Sequence, residues 1–173
     1  MPIKGNLSCM TCSHSHYGQP FTRKQLLVTL SCTELTFFDF STLFWTQIIV
    51  ATGKGSIAKA NLDGSGRQKI VREQRYPAGI AIDHSASRLY WADFSDHKIR
   101  SSDLNGQDVR EVASVARDGP WGVAVHNGKL YWGNYWGKTV QTSDLRGQNR
   151  QFVYSGVTGV EHLIVATVKA SAH

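Results

Sequence analysis

The 173-residue sequence predicts an all-β fold made of repeated four-stranded antiparallel units, and three observations carry that prediction. Five Trp, six Tyr, seven Phe and sixteen Gly stand beside two Met and four Pro, and aromatic residues suit strands as Gly suits tight turns. Three sequence markers recur in one order with one period of 41 to 43 residues. Within each repeat, short segments rich in Ile, Val, Tyr and Trp alternate with Gly, Asn, Asp and Ser turns. Apolar residues make up 41% and charged residues 18%, enough for a core and unlike a disordered chain, and the length allows one domain of roughly 150 residues with a tail.

The first marker is Leu89-Tyr90-Trp91-Ala92-Asp93, which returns as Leu130-Tyr131-Trp132-Gly133-Asn134 and has an earlier form in Leu43-Phe44-Trp45-Thr46-Gln47. The second runs from Ile57 to Gly64, from Ile99 to Gly106 and from Val140 to Gly147. The third pairs Pro77-Ala78-Gly79-Ile80-Ala81-Ile82-Asp83 with Pro120-Trp121-Gly122-Val123-Ala124-Val125-His126. The second repeat is expected to form strands over 79–83, 88–93, 97–103 and 109–113; the third, over 122–126, 129–134, 138–143 and 150–154. Asn127-Gly128 predicts a tight hairpin, because both residues tolerate positive φ. A unit of about 40 to 45 residues with four strands is the size of a propeller blade, whose faces are both covered by neighbours. Runs such as Leu89-Tyr90-Trp91, apolar on both sides of the strand, fit that burial.

The first repeat is irregular. Trp45 and Trp91 are 46 residues apart, and an insertion over Ile48–Lys54 falls where a tight turn belongs. No opening strand is recognisable before Leu43. The expected organisation is therefore a non-propeller, poorly ordered segment over 1–42, repeats over about 43–88, 89–129 and 130–168, and a tail over 169–173. A fourth unit would begin at Val160–Thr167.

The Leu-Tyr-Trp-Ala-Asp and Leu-Tyr-Trp-Gly-Asn segments, each followed by an Ile/Val strand and a Leu-Asp-Gly-like turn, resemble the YWTD or class B repeat of the low-density lipoprotein receptor family. The resemblance covers about residues 43–165. It implies a six-bladed propeller, of which this chain would supply about three blades, and an extracellular receptor or matrix protein. The motif positions are Phe44, Trp45, Tyr90, Trp91, Asp93, Tyr131, Trp132 and Asn134. No repeat carries the full motif: the first lacks the Tyr and Asp, the second the Thr, the third both polar residues. Tyr90, Trp91, Tyr131 and Trp132 are expected in the core.

In such a meander the loop between strands 2 and 3 opens on the same face as the link to the next blade. Those segments carry Arg75, Tyr76, Phe94, His97, Arg117, Trp121, Tyr135 and Trp136, and aromatic residues with Arg dominate interface hot spots. The opposite face offers turns such as Asn105-Gly106 and Arg146-Gly147. This asymmetry marks the first face as a protein-binding surface, which is also the face the resembled family uses. Trp121, after Pro120 at a strand start, reads equally as a packing plug; Tyr135 and Trp136 lie in a turn with no sheet to bury them. His97 reads as a pH sensor or as a solvated turn residue.

Other chemistries have less support. The net charge of +6 disperses along the chain, with fourteen Lys/Arg against eleven Asp/Glu in residues 55–168, which disfavours nucleic acid. Cys9, Cys12 and Cys32 are an odd count with no closed disulfide framework, and Cys9-Met10-Thr11-Cys12-Ser13-His14-Ser15-His16 lacks the ligand spacing of a structural zinc site. Asn6-Leu7-Ser8 is a formal glycosylation sequon without a recognisable signal peptide, and the longest uncharged run, Phe40–Gly53, is too short to span a bilayer. Hydrolytic propellers hold a metal on residues converging on the axis, but the expected innermost strands offer mainly Ile, Val and Ala. No catalytic residue, metal or cofactor is expected.

The reading is a non-catalytic protein-binding module of a low-density-lipoprotein-receptor-related cell-surface receptor, endocytic or a signalling co-receptor of the kind that serves Wnt signals. Its partners would be secreted or cell-surface proteins, and the parent protein would sit on the extracellular side of the plasma membrane, with no membrane insertion by this chain. The alternatives are a secreted basement-membrane propeller resembling nidogen and, in another class, a metal-dependent hydrolytic propeller. The open blade faces of half a ring would favour self-association.

Overall fold

The computed structural model describes residues 31–38, 41–49, 52–157, 159–163 and 165. Twelve strands form three four-stranded antiparallel sheets, each a simple meander in chain order. Blade 1 contains β1 (Ser31–Phe38), β2 (Thr42–Ile49), β3 (Lys54–Asn61) and β4 (Gln68–Gln74). Blade 2 contains β5 (Pro77–Asp83), β6 (Arg88–Asp93), β7 (Lys98–Asp103) and β8 (Arg110–Ser114). Blade 3 contains β9 (Pro120–His126), β10 (Lys129–Asn134), β11 (Thr139–Asp144) and β12 (Gln151–Ser155).

The strands of blades 2 and 3 fall where the repeat spacing puts them, within one or two residues at each end. The Asn127-Gly128 hairpin has both φ angles positive, at 47° and 71°. Two expectations for blade 1 differ. The chain before Leu43 is not all outside the propeller, because β1 pairs antiparallel with β2 from Ser31↔Ile48 to Phe38↔Thr42. The Ser-Cys-Thr-Glu start hides this strand from a search for the Pro-x-Gly-Ile marker. The insertion over Ile48–Lys54 is taken up largely as added strand pairing. Gln47↔Ser56 occupies the place of Asp93↔Lys98, and two further pairs, Ile48↔Gly55 and Ile49↔Lys54, lengthen the β2–β3 hairpin. The zinc-like Cys9–His16 segment, Asn6 and the tail lie outside the described residues, as does the side chain of Cys32.

Alternation along each second strand sends neighbouring aromatics to opposite junctions. Trp91, Leu89, Ile80 and Ile82 pack against Phe44, Ile57 and Val71 of blade 1. Tyr90, Ala92, Ile99 and Ala113 pack against Val123, Leu130 and Trp132 of blade 3. Trp91 and Trp132 are completely buried and Tyr90 is 2% exposed. Tyr131 is only half-buried, because its side of blade 3 faces away from blade 2. Val160, 7% exposed, packs over Gly133 at the inner end of that same face.

A second device locks blade to blade. Each outer strand has an extra residue at the same place, Ile70 in β4, Val112 in β8 and Val153 in β12, forming a bulge each time, and β4 has a second register shift between Gly55↔Gln74 and Ile57↔Val71. The β7–β8 turn brings Gly106 onto the Ile70 carbonyl, and the β11–β12 turn brings Gly147 onto the Val112 carbonyl. A Cβ at either glycine would collide with backbone. Asp103 and Asp144 shape these turns: each Oδ1 accepts backbone N–H groups two and four residues ahead, at 2.8–2.9 Å. Lys59 adds a bond across the first junction, donating to the Leu104 carbonyl (3.1 Å) and to Asn105 Oδ1 (2.8 Å).

An aromatic patch as the candidate functional site

The candidate site is built on the turns between second and third strands and on the links between blades. Each strand 2–3 turn has four residues and ends in a left-handed backbone, at Gly53, His97 and Lys138 (φ 62°, 55° and 50°). That geometry lifts the first residues of the turn, Phe94 in blade 2 and Tyr135-Trp136 in blade 3, above the sheet ends.

Below the turn of blade 2 lies Asp93, fully buried. Its carboxylate accepts the backbone N–H of Arg75 (3.4 Å), Tyr76 (3.2 Å) and Asp96 (3.2 Å). The last position of the motif therefore ties the incoming interblade link to the turn and sets the height of Tyr76 and Phe94. Asn134 occupies this position in blade 3 and donates to Thr139 Oγ1 (2.9 Å), leaving its buried Oδ1 without a partner among the described residues. Gln47 does so in blade 1, where it donates to Ser56 Oγ (2.7 Å) and accepts from Trp45 Nε1 (3.4 Å).

Six of the eight expected face residues come together. Phe94 is the hub: its ring centroid lies 4.5 Å from that of Trp136, 5.0 Å from Trp121, 5.5 Å from Tyr76 and 6.3 Å from Tyr135. Trp121 closes the cluster at 5.7 Å from both Tyr76 and Tyr135, and His97 flanks Trp136 at 5.8 Å. Tilted and edge-on contacts of this kind add roughly 0.5–1.5 kcal/mol each beyond the area they bury. Trp136 is 54% exposed, whereas Phe94, Tyr76, Trp121 and Tyr135 are half-buried. Trp121 serves as plug and patch at once, since it also packs on the core between blades 2 and 3.

The two arginines sit at the margin. Arg75 lies 3.7 Å from Asp96, which Arg100 already holds at 2.7 Å. Arg117 is exposed in the longer link between blades 2 and 3 and has no ion pair among the described residues. Sequence reasoning missed Gly119, which lies in that link with φ 64° and would place a Cβ 2.8 Å from both the Phe94 and Trp136 rings. A glycine before the Pro120 strand start was the visible signal, but the close approach of two rings was not. The described residues contain no group of three or more His, Cys, Asp or Glu side chains able to hold a metal, and no helix long and apolar enough to cross a membrane.

Comparison with known proteins agrees with this architecture. Residues 87–126 match the low-density lipoprotein receptor repeat class B. The chain is 31% identical to the vitellogenin receptor Yl of Drosophila melanogaster over 84 residues, 48% of this chain and 4% of that protein. It is 42% identical to low-density lipoprotein receptor-related protein 8 of Gallus gallus over 53 residues, 30% of this chain and 6% of that protein. The matches therefore span only a small part of these relatives. A chain of the crystallised nidogen/laminin complex superposes with a TM-score of 0.67 at 26% identity, covering 75% of this chain and 50% of that one. Residues 87–126 thus carry a low-density lipoprotein receptor class B (YWTD) repeat, and in motif spacing and blade topology the chain is similar to members of that repeat family.

Proposed function

We propose that the chain is a non-catalytic protein-binding module of an extracellular receptor, and that the patch around Phe94 binds a secreted or cell-surface protein. The observation that supports this most is the convergence of Tyr76, Phe94, Trp121, Tyr135 and Trp136 on one end of blades 2 and 3, with Trp136 left exposed. Rings braced by one another lose little rotamer freedom on binding, and contacts of this type dominate interface energetics. Arg75 and Arg117 supply a polar margin, and His97 contacts the Trp136 ring. Uptake of a protein cargo and co-reception of a secreted signal are both roles this surface suits. The parent protein's place is the outer side of the plasma membrane.

The likeness to the nidogen/laminin complex favours a second reading, a matrix propeller whose partner is a laminin-type protein. One experiment addresses both. The full chain is immobilised and titrated with laminin and with vitellogenin, the proteins that the names of its relatives supply, in wild-type form and as Trp136→Ser. Saturable binding that weakens at least tenfold in the variant supports the patch; laminin alone as ligand selects the matrix reading. Equal binding by both forms, or no binding to either protein, sinks the proposal as stated.

A further inference from the structure

We infer that the cleft between the outer halves of blades 2 and 3 is a second recognition site, one that takes an uncharged apolar residue of a peptide together with its main-chain amide. The cleft has a volume of about 250 Å³ and is lined by Ser114, Val115 and Asp118 from the blade 2 side and by Gln141, Arg150 and Phe152 from blade 3. That is room for one residue and less than the roughly 300–1,000 Å³ of a drug-sized pocket.

The first supporting observation is Gln141. Its side chain is 9% exposed, lines the cleft and makes no hydrogen bond among the described residues. Its amide atoms are not among the buried unpaired polar atoms, so they stay within reach of the cleft and can pair with a ligand there. The second is the contrast with the equivalent place one blade earlier. There Arg100 stands for Gln141 and Glu111 for Phe152; Arg100 bonds Asp96 at 2.7 Å and Glu111 bonds Lys98 at 2.6 Å. At the blade 2–3 junction those partners are gone. Phe152 is instead 74% exposed, where β4 and β8 present Lys69 and Glu111.

The chemistry selects a neutral occupant. Arg150, whose guanidinium rests 5.5 Å above the Trp132 ring, only donates; the Asp118 carboxylate only accepts; Gln141 does both. An anion would gain from Arg150 and be opposed by Asp118, and a cation the reverse. A peptide amide offers N–H to the carboxylate side and C=O to the guanidinium and amide side at once. Val115, 3% exposed, and Phe152 supply the apolar wall for its side chain. The cleft also adjoins the aromatic patch, because the Asp118 carbonyl accepts the N–H of Trp136 (3.0 Å) and Gly137 (3.2 Å). The inference nevertheless stands apart from the patch, since a small probe can occupy the cleft alone.

The test is an NMR titration of the ¹⁵N-labelled full chain with N-acetyl-leucine amide. Expected are millimolar binding and shifts confined to residues 114–118, 141 and 150–152, including the Gln141 side-chain NH₂ signals. Gln141→Leu should weaken binding at least fivefold, Phe152→Ser at least twofold, and Trp136→Ser less than twofold. N-acetyl-leucine with its free carboxylate and N-acetyl-lysine amide should each bind at least threefold more weakly. Phe152→Ser alters an exposed position and keeps the test valid where Gln141→Leu disturbs folding. Absent shifts, binding unchanged in both cleft variants, charged probes as tight as the neutral one, or loss of binding in Trp136→Ser would each overturn the site.

Discussion

The ring of Phe94, in the second blade, lies 4.5 Å from the ring of Trp136, in the third, with their planes inclined by 52°. The contact joins two turns 42 residues apart in sequence, so the patch exists only when two blades are packed. Folding and the binding surface are thus coupled at one place, and that place can be perturbed from below.

Gly119 is the position for doing so. A Cβ there meets both rings at 2.8 Å and is also strained by φ 64°, so Gly119→Ala should cost about 3 kcal/mol, combining overpacking with the left-handed backbone term. Gly128→Ala has a similar φ of 71° but open space around it, and should cost only about 1 kcal/mol. Urea unfolding of the two variants separates the terms; equal losses would show that the rings yield freely.

The tryptophans should divide into two classes. Trp91→Ala removes a fully buried side chain at the blade 1–2 junction and should destabilise by about 3–5 kcal/mol. Trp136→Ser, at a position 54% exposed, should cost under about 1 kcal/mol while removing much of the near-ultraviolet dichroism of the patch. Thermal melts with near-ultraviolet spectra check both, and a large stability loss in Trp136→Ser would mean that the turn is structural.

Asp93 ties the link between blades 1 and 2 to the turn after β6. Asp93→Ala leaves three backbone N–H groups without their acceptor and should cost about 2–3 kcal/mol. Amide exchange should rise at Arg75, Tyr76 and Asp96 before it rises at Trp91. Uniform exchange across blade 2 would contradict a local role.

Acid sensitivity follows from two turn carboxylates, Asp108 exposed and Asp144 half-buried. Hydrogen bonding to Arg110 holds the Asp108 carboxyl below its ordinary value of 3.8, and the Gln148 N–H does the same for Asp144. Because these folded-state values are depressed, their contribution is present above the unfolded value and is lost as pH falls through the lower folded value. The melting temperature should therefore be level near neutrality and fall below about pH 4, less steeply in Asp108→Asn. A profile that is identical in that variant rules out the Arg110 contact as a contributor.

Much of this was legible in the sequence because the repeat prints each blade more than once. Trp91 and Trp132, Pro77 and Pro120, and the Leu-x-Gly turns locate strands to within a residue or two. They also assign the faces, which is how Tyr76, Phe94, Tyr135 and Trp136 fall on one side. What stayed hidden depends on neighbours in space. The β1 strand carries none of the repeat markers. Gly119 matters only because two rings converge on it, and Asp93 acts on residues seventeen and eighteen positions upstream. Phe152 was visible as the apolar residue standing where other repeats have Lys69 and Glu111, but only after the bulge had set the register.

The two extra pairs in the β2–β3 hairpin give the patch an uneven horizon. Two residues of strand add about 7 Å, so the hairpin of blade 1 rises that far above the level of the Phe94 turn, on the same end of the molecule. A broad, flat partner laid on the aromatic rings would strike this parapet before touching Trp136. The surface favours a partner with a narrow ridge or projecting loop. Trimming the hairpin to the length of its neighbours should widen what the patch accepts without altering any residue within it.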